Sequence, residues 1–249
     1  VRVTGFVAGP LDDEGAPVDG AEHPPIPAVQ FAWCGIPVDG VAPIAVSTRN
    51  VGSIRVVVAD DDQLANVVYT SPYEEPDDLG LVQFRATGLA AGTEHWYALQ
   101  LPGAQQIGPV RRFRTPPTGQ ASFTWVMAGD ASSRNPSSVE PWYRMVHTSD
   151  SPTYERIAAR DPAFFVFAGD RHYRDYNTTD PLDHLRGHRD IWVNPRAQTL
   201  FDAMAVSQMW DDHDFTGDSA DASAAGRDTA VDVWRRAVPT EGYLLGDPL

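Results

Sequence analysis

Apolar and polar positions divide the chain into two regions with different periods. Residues 30–34, 43–47, 53–58, 81–87, 95–101 and 110–115 are apolar-rich or alternate apolar with polar. Between them lie turn formers: Val38-Asp39-Gly40, Asn50-Val51-Gly52, the acidic stretch 59–62, and Ala91-Gly92-Thr93. Short strands at regular spacing, punctuated by Gly, Asp and Asn, predict an antiparallel β-sandwich. Residues 8–28, rich in Pro, Gly and Asp, read as a loop or arm. Thr115-Pro116-Pro117-Thr118-Gly119 reads as a linker, since adjacent prolines end a strand and stiffen the join.

Beyond Gly119 the pattern changes. Residues 122–128 and 163–168 are near-continuous apolar runs, the signature of strands buried on both faces. A third strand is predicted at 206–210, and helices at 154–160 and 196–204. Ala230, Val233, Trp234 and Ala237 follow i, i+3, i+4, i+7 spacing and predict an amphipathic helix. Strands alternating with helices imply an α/β layered domain. The expected division is residues 1–118 for the sandwich and 119–249 for the α/β part.

The chain has 249 residues, with 42% hydrophobic and 21% charged, which suits globular folding. No apolar run approaches the roughly 18 residues of a membrane span. The first residue is Val1, and no charged-then-apolar leader is visible, so a processed or trimmed start is expected. Net charge is −15, from 34 acidic against 19 basic residues, which argues against the basic footprint that nucleic acid demands. All the basic residues are Arg. A single cysteine, Cys34, excludes an intrachain disulfide and a thiolate metal cluster.

The chemistry gathers at the ends of the three predicted buried strands. They run into Gly129-Asp130, Gly169-Asp170 and Trp210-Asp211-Asp212-His213-Asp214. Ligands of open α/β sheets sit beyond the carboxyl ends of strands. Neighbouring strands lie about 4.8 Å apart, so three such ends can converge. Carboxylates that close repel one another unless cations lie between them. Two ions about 3.5–4 Å apart, bridged by one carboxylate, remove the repulsion. A lone Gly-Asp is ordinarily a turn; two at matching strand ends beside Asp-Asp-His-Asp are hard to read that way. Tyr173, three residues after Asp170, would add a hard phenolate donor that favours a trivalent ion such as Fe(III). His213 would contact phosphate or give a proton to the leaving oxygen. His147, His172, His184 and His188 read as surface or structural residues. Arg134, Arg171 and Arg174 are loop arginines that could help neutralise a phosphate.

Gly129-Asp130, Gly169-Asp170-x-x-Tyr173-x-Asp175 and Trp210-Asp211-Asp212-His213-Asp214-Phe215 together resemble the alkaline phosphatase D (PhoD-like) branch of the metallophosphoesterases. The Gly-Asp-x-x-Tyr element also resembles purple acid phosphatases. Residues 88–97 and Phe113-Arg114-Thr115-Pro116-Pro117 are similar to the Ig/fibronectin-like domain that precedes the phosphatase domain in both groups. The fold so implied is an all-β Ig/fibronectin-like sandwich followed by the N-terminal half of an α/β metallophosphoesterase domain.

The resemblance implies two metal ions, Fe(III) plus a divalent ion (Ca, Mn, Zn or Mg). Asp130, Asp170 and Tyr173 would hold the first. Asp170 would bridge to a second held also by Asp212, with Asp211 a further candidate, and His213 would face a phosphomonoester or phosphodiester substrate. It also implies a secreted, periplasmic or cell-wall location. Three departures stand out. Some members carry Cys where Asp130 aligns, some carry Asn where this chain has Asp218, and the family's further His ligands come from a C-terminal half. No His follows His213 here. The expectation is a fragment, or one piece of a split protein, that needs its other half or a second polypeptide for full activity. The competing expectation is an Ig-like binding or structural protein with a degenerate phosphatase half. A nucleotide-binding α/β protein is disfavoured, because neither glycine-rich phosphate motif occurs.

Overall fold

The computed structural model describes residues 29–130 and 152–240. The expected arm at 8–28, Arg134 and His147 lie outside the described residues. Strands β1 (Val29–Cys34), β2 (Ala42–Thr48), β3 (Arg55–Ala59), β4 (Val67–Thr70), β5 (Leu81–Ala86), β6 (Glu94–Leu101) and β7 (Gln105–Arg114) come first. They make two antiparallel sheets, ordered β1-β2-β5 and β4-β3-β6-β7. Ala32, Cys34, Ile44, Val46, Val56, Val58, Phe84, Tyr97, Leu99 and Phe113 fill one core between them. Edge strand β4 was not legible in the sequence; its residues are mostly exposed, so they carry no buried-face signal.

The period of two along β1 sends alternate side chains to opposite faces. Ala32 and Cys34 enter the inter-sheet core, whereas Phe31 and Trp33 join a second core with the helices. Strand β2 is buried along its whole length for the same reason.

The second region holds β8 (Val126–Ala128), α1 (Thr153–Ala158), β9 (Phe164–Ala168), α2 (Pro181–Trp192), α3 (Pro195–Ala203), β10 (Ala205–Met209), α4 (Asp212–Phe215) and α5 (Arg227–Ala237). The three strands form a parallel sheet ordered β10-β9-β8. Phe165, Phe167 and Val206 point into the second core with Trp192, Leu200, Phe201 and Trp234. Phe31 lies 4.7 Å from Trp192 and Trp33 lies 5.3 Å from Phe201, ring centre to ring centre. Polar ties cross the same junction: Arg111 pairs with Asp202 at 2.8 Å, Arg112 Nε donates to the Ala203 carbonyl, and Gln83 Nε2 donates to the carbonyls of Arg235 and Arg236.

Both apolar runs need correction, and one helix was not expected: in β9 buried positions alternate with half-buried ones, so 163–168 is buried on one face. The run 122–128 is not a strand buried on both faces. Only Val126–Ala128 is extended in the sheet, and it lies at the sheet's edge with Met127 and Ala128 exposed. Among the described residues, helices cover one face only; on the other, Phe123, Trp125, Met127 and Met209 stand 47–58% exposed, with Phe123 and Trp125 packed around Phe164. Helix α2 was also missed. Its buried face is made partly of His184 and His188 beside Leu185, Ile191 and Trp192, so two of those five positions read as polar. Its start is nonetheless conventional: Asp180 accepts from the Leu182 amide and Pro181 takes the first turn. Among the described residues, no helix is long and apolar enough to cross a membrane.

Candidate metal centre

Strands β8, β9 and β10 are parallel neighbours, so their carboxyl ends emerge on one edge of the sheet. Asp130 follows β8, Asp170 follows β9, and Asp211 and Asp212 follow β10. The first two ends are tied directly: the Asp130 amide donates to the Gly169 carbonyl at 3.2 Å. Asp130 and Asp170 both adopt left-handed backbone, at φ 50° and 52°. Asp tolerates that region better than most residues, and such conformers gather at functional sites. Gly169, at φ +98°, has no alternative: a Cβ there would meet Asp211 Cβ at 2.7 Å.

Tyr173 links the first two carboxylates. Its hydroxyl lies 2.9 Å from Asp130 Oδ1 and 3.2 Å from Asp170 Oδ2, donating to them. Burial, then donation to Asp130 and the surrounding negative charge, holds its proton on well above the usual phenol range. Asp170 itself is pushed up, first by burial and then by the charges of Asp211 and Asp212, although Tyr173 and His213 oppose this. Asp170 Oδ1 is buried with no hydrogen-bond partner. A buried carboxylate oxygen left bare among other carboxylates is what a cation would satisfy.

The β10 side contributes α4. Asp212 Oδ1 accepts from the His213 amide at 2.8 Å, and Oδ2 accepts from the Ser219 amide at 2.6 Å. Ligand atoms of Asp170, Asp212 and His213 all lie within 4.8 Å of one another. Asp211 takes a different post, capping α4: its side chain accepts from the Asp212 amide at 2.9 Å. The His213 ring sits 4.2 Å from that of Tyr173. Its Nδ1 is 2.6 Å from Asp175 Oδ1. Burial lowers the proton affinity of His213, but the bond to Asp175 and the charges of Asp175, Asp170 and Asp212 outweigh it, and the net direction is upward.

The structure thus brings Asp130, Asp170, Tyr173, Asp212 and His213 to one place, with Asp211 adjoining as a cap. The carboxylates and phenol oxygen suit hard cations, and the imidazole suits borderline ones such as iron or zinc. Asp175 stands in the Gly169-Asp170-x-x-Tyr173-x-Asp175 motif, but nothing in the sequence signals that it turns back, at φ 54°, onto His213. The possible phosphate role of Arg171 is corrected: its guanidinium is buried and paired with Asp214. His172, His184 and His188 are buried, and His184 is bonded to the Thr178 carbonyl.

No family model and no curated protein matches this chain. Among solved structures it is similar to that of PhoD, with a TM-score of 0.70 and 14% identity, over 94% of this chain and 49% of that chain. Its likeness to the FN5 domain of Drosophila Lar has a TM-score of 0.26 at 10% identity, over 36% of this chain and 98% of that domain. For the fn3 domain of human collagen alpha-1(XX) the TM-score is 0.28 at 12% identity, over 42% and 94%. At these identities the likeness to PhoD is one of fold, and this chain spans about half of that chain's length.

Proposed function

We propose that this chain carries part of the metal centre of a phosphoester hydrolase of the alkaline phosphatase D type. The observation that carries the reading is the meeting of three strand ends at Asp130, Asp170 and Asp212, with one Asp170 oxygen buried and bare. Asp130, Asp170 and Tyr173 would hold a first ion, iron-like because of the phenol oxygen. Asp170 would bridge to a second, divalent ion held also by Asp212, while Asp211 supports Asp212 as the cap. Two such ions supply Lewis acidity that neutralises charge on phosphate and acidifies the attacking water.

The chain's own residues supply orientation and a proton. With an Nδ1 proton held by Asp175, Nε2 would be the His213 nitrogen left to serve the site. The water oxygen bonds to phosphorus as the bond from phosphorus to the leaving oxygen breaks, and His213 gives that oxygen its proton. No covalent protein nucleophile is required.

The open sheet face of Phe123, Trp125, Met127 and Met209 supports a second element of the reading. Exposed apolar surface of that kind asks for cover. The cover, and further ligands, would come from a segment equivalent to the unmatched half of the PhoD fold, in a continuation of the chain or a separate polypeptide. The same open face favours the second reading, a binding protein with an incomplete phosphatase half.

Metal analysis separates the two readings. The hydrolase reading expects two ions per chain in the completed protein, both lost on Asp170→Asn, together with chelator-sensitive hydrolysis of p-nitrophenyl phosphate. Protein with its fold completed that binds no ion rejects the hydrolase reading and leaves the binding protein.

A further inference from the structure

We propose that Arg171, through Asp214, is a positioning residue that fixes the distance between the Asp170 loop and the Asp212 helix turn, and with it the second ion's site; this rests on the metal-centre reading. Arg171 follows Asp170 directly yet points away from the centre into the protein. Its backbone amide donates to Asp214 Oδ1 at 3.0 Å, and its Nε stands 3.3 Å from the same oxygen. The other oxygen, Asp214 Oδ2, accepts from the Asp211 amide at 3.4 Å, closing the capping box of α4. One buried carboxylate therefore bridges the loop after β9, which carries Asp170 and Tyr173, and the turn after β10, which carries Asp212 and His213.

The guanidinium is anchored independently of that bridge. Nη2 lies 3.0 Å from His188 Nδ1 on α2, and the group sits 4.6 Å from the Trp234 ring on α5 and 5.6 Å from that of Trp192. Both charges are buried, so neither can leave for solvent without leaving the other uncompensated. The brace thus refers both ligand-bearing segments to two helices of the core. The first ion's donors have further ties of their own. Asp130, Asp170 and Tyr173 are held by the Tyr173 hydrogen bonds and by the Asp130 amide on Gly169.

His172, His188 and Asp214 also have ligand atoms within 4.8 Å of one another, and both nitrogens of His172 are buried without partners. A cation there would sit beside the guanidinium already on His188 and Asp214, and the cluster has only one carboxylate to offset both charges. The observations favour the brace.

The test uses the protein with its complete fold, loaded with Fe(III) and then titrated with Mn(II). Arg171→Met and Asp214→Asn should each weaken Mn(II) binding at least about tenfold. The visible tyrosinate-to-iron absorption from Tyr173 should persist. The double variant should be no worse than the poorer single, because both act through one contact. Arg171→Lys should recover part of the affinity and provides a folded comparison should Arg171→Met not fold. Unchanged Mn(II) affinity overturns the proposal, as does parallel loss of both ions in step with lost stability. A third tightly held Zn(II), abolished by His188→Ala, overturns it in favour of a buried metal. Wild-type protein that takes up neither iron nor manganese sinks the metal-centre reading as well; wild-type binding that the variants leave intact sinks only the brace.

Discussion

Asp175 Oδ1 and His213 Nδ1 stand 2.6 Å apart, joining the loop after β9 to the short helix after β10. A carboxylate on one imidazole nitrogen fixes the tautomer and aims the other nitrogen outward. If His213 protonates the leaving oxygen, the value of that proton depends on the leaving group. Asp175→Asn in the completed protein should lower kcat about 10–100-fold toward an alkyl phosphate. Toward p-nitrophenyl phosphate, whose leaving group needs little protonation, the loss should be much smaller. Equal losses on the two substrates would remove the acid role from the pair.

Two strand ends and their acids were legible because the sequence repeats one device, an apolar run closed by Gly-Asp, and the third because Asp211-Asp212-His213-Asp214 follows a strand-like segment. Asp130 and Asp170 follow from the first device and Asp212 from the acidic element after β10. Asp175, Arg171 and Asp214 could not be assigned this way. Their roles come from contacts between segments some 40 residues apart, such as Arg171 with Asp214 and Asp175 with His213, and no local period encodes such pairs. Helix α2 was hidden by its histidines, and the extent of β8 was overread because Phe123 and Trp125 are apolar without being interior. Apolar runs report what could be buried; which face finds cover is decided by tertiary structure.

Gly169→Ala should be costly for two separate reasons. Left-handed backbone costs an L-residue about 1–2 kcal/mol, and the new methyl would meet Asp211 Cβ at 2.7 Å. Forcing Asp211 aside adds an overpacking cost of about 1–3 kcal/mol. Denaturant unfolding should register the sum, and binding at Asp212 should weaken because Asp211 caps its turn. A stability change below about 0.5 kcal/mol, the range of an ordinary surface substitution, would mean the turn relaxes freely.

Phe31 belongs by sequence to the first region and by packing to the second, where it meets Trp192 at 4.7 Å. Phe31→Ala should therefore destabilise by about 3–5 kcal/mol, as for other large aromatics deleted from a core. Because the second core takes residues from β1, β2 and β5 as well as from the helices, β-region and helical signals should still fall in one transition. Far-UV circular dichroism and tryptophan fluorescence should give coincident curves. Two separated transitions would mean that the regions unfold as independent units.

The open face of the parallel sheet makes the last prediction. Phe123, Trp125, Met127 and Met209 present large apolar side chains to solvent, whereas the opposite face is sealed by Trp192, Phe201 and Trp234. The 249-residue chain on its own should bind an apolar dye such as ANS while keeping native near-ultraviolet dichroism, which separates a folded protein with an open face from a molten globule. Replacing Trp125 and Met209 by Glu should reduce dye binding and self-association while changing stability by little more than surface substitutions do, about 0.5 kcal/mol. Those two charges would damage a packed interior severely, because buried carboxylates without partners are expensive. Collapse of the double variant would therefore mean that this face is covered within the chain, and the argument for a covering segment from elsewhere would fall with it.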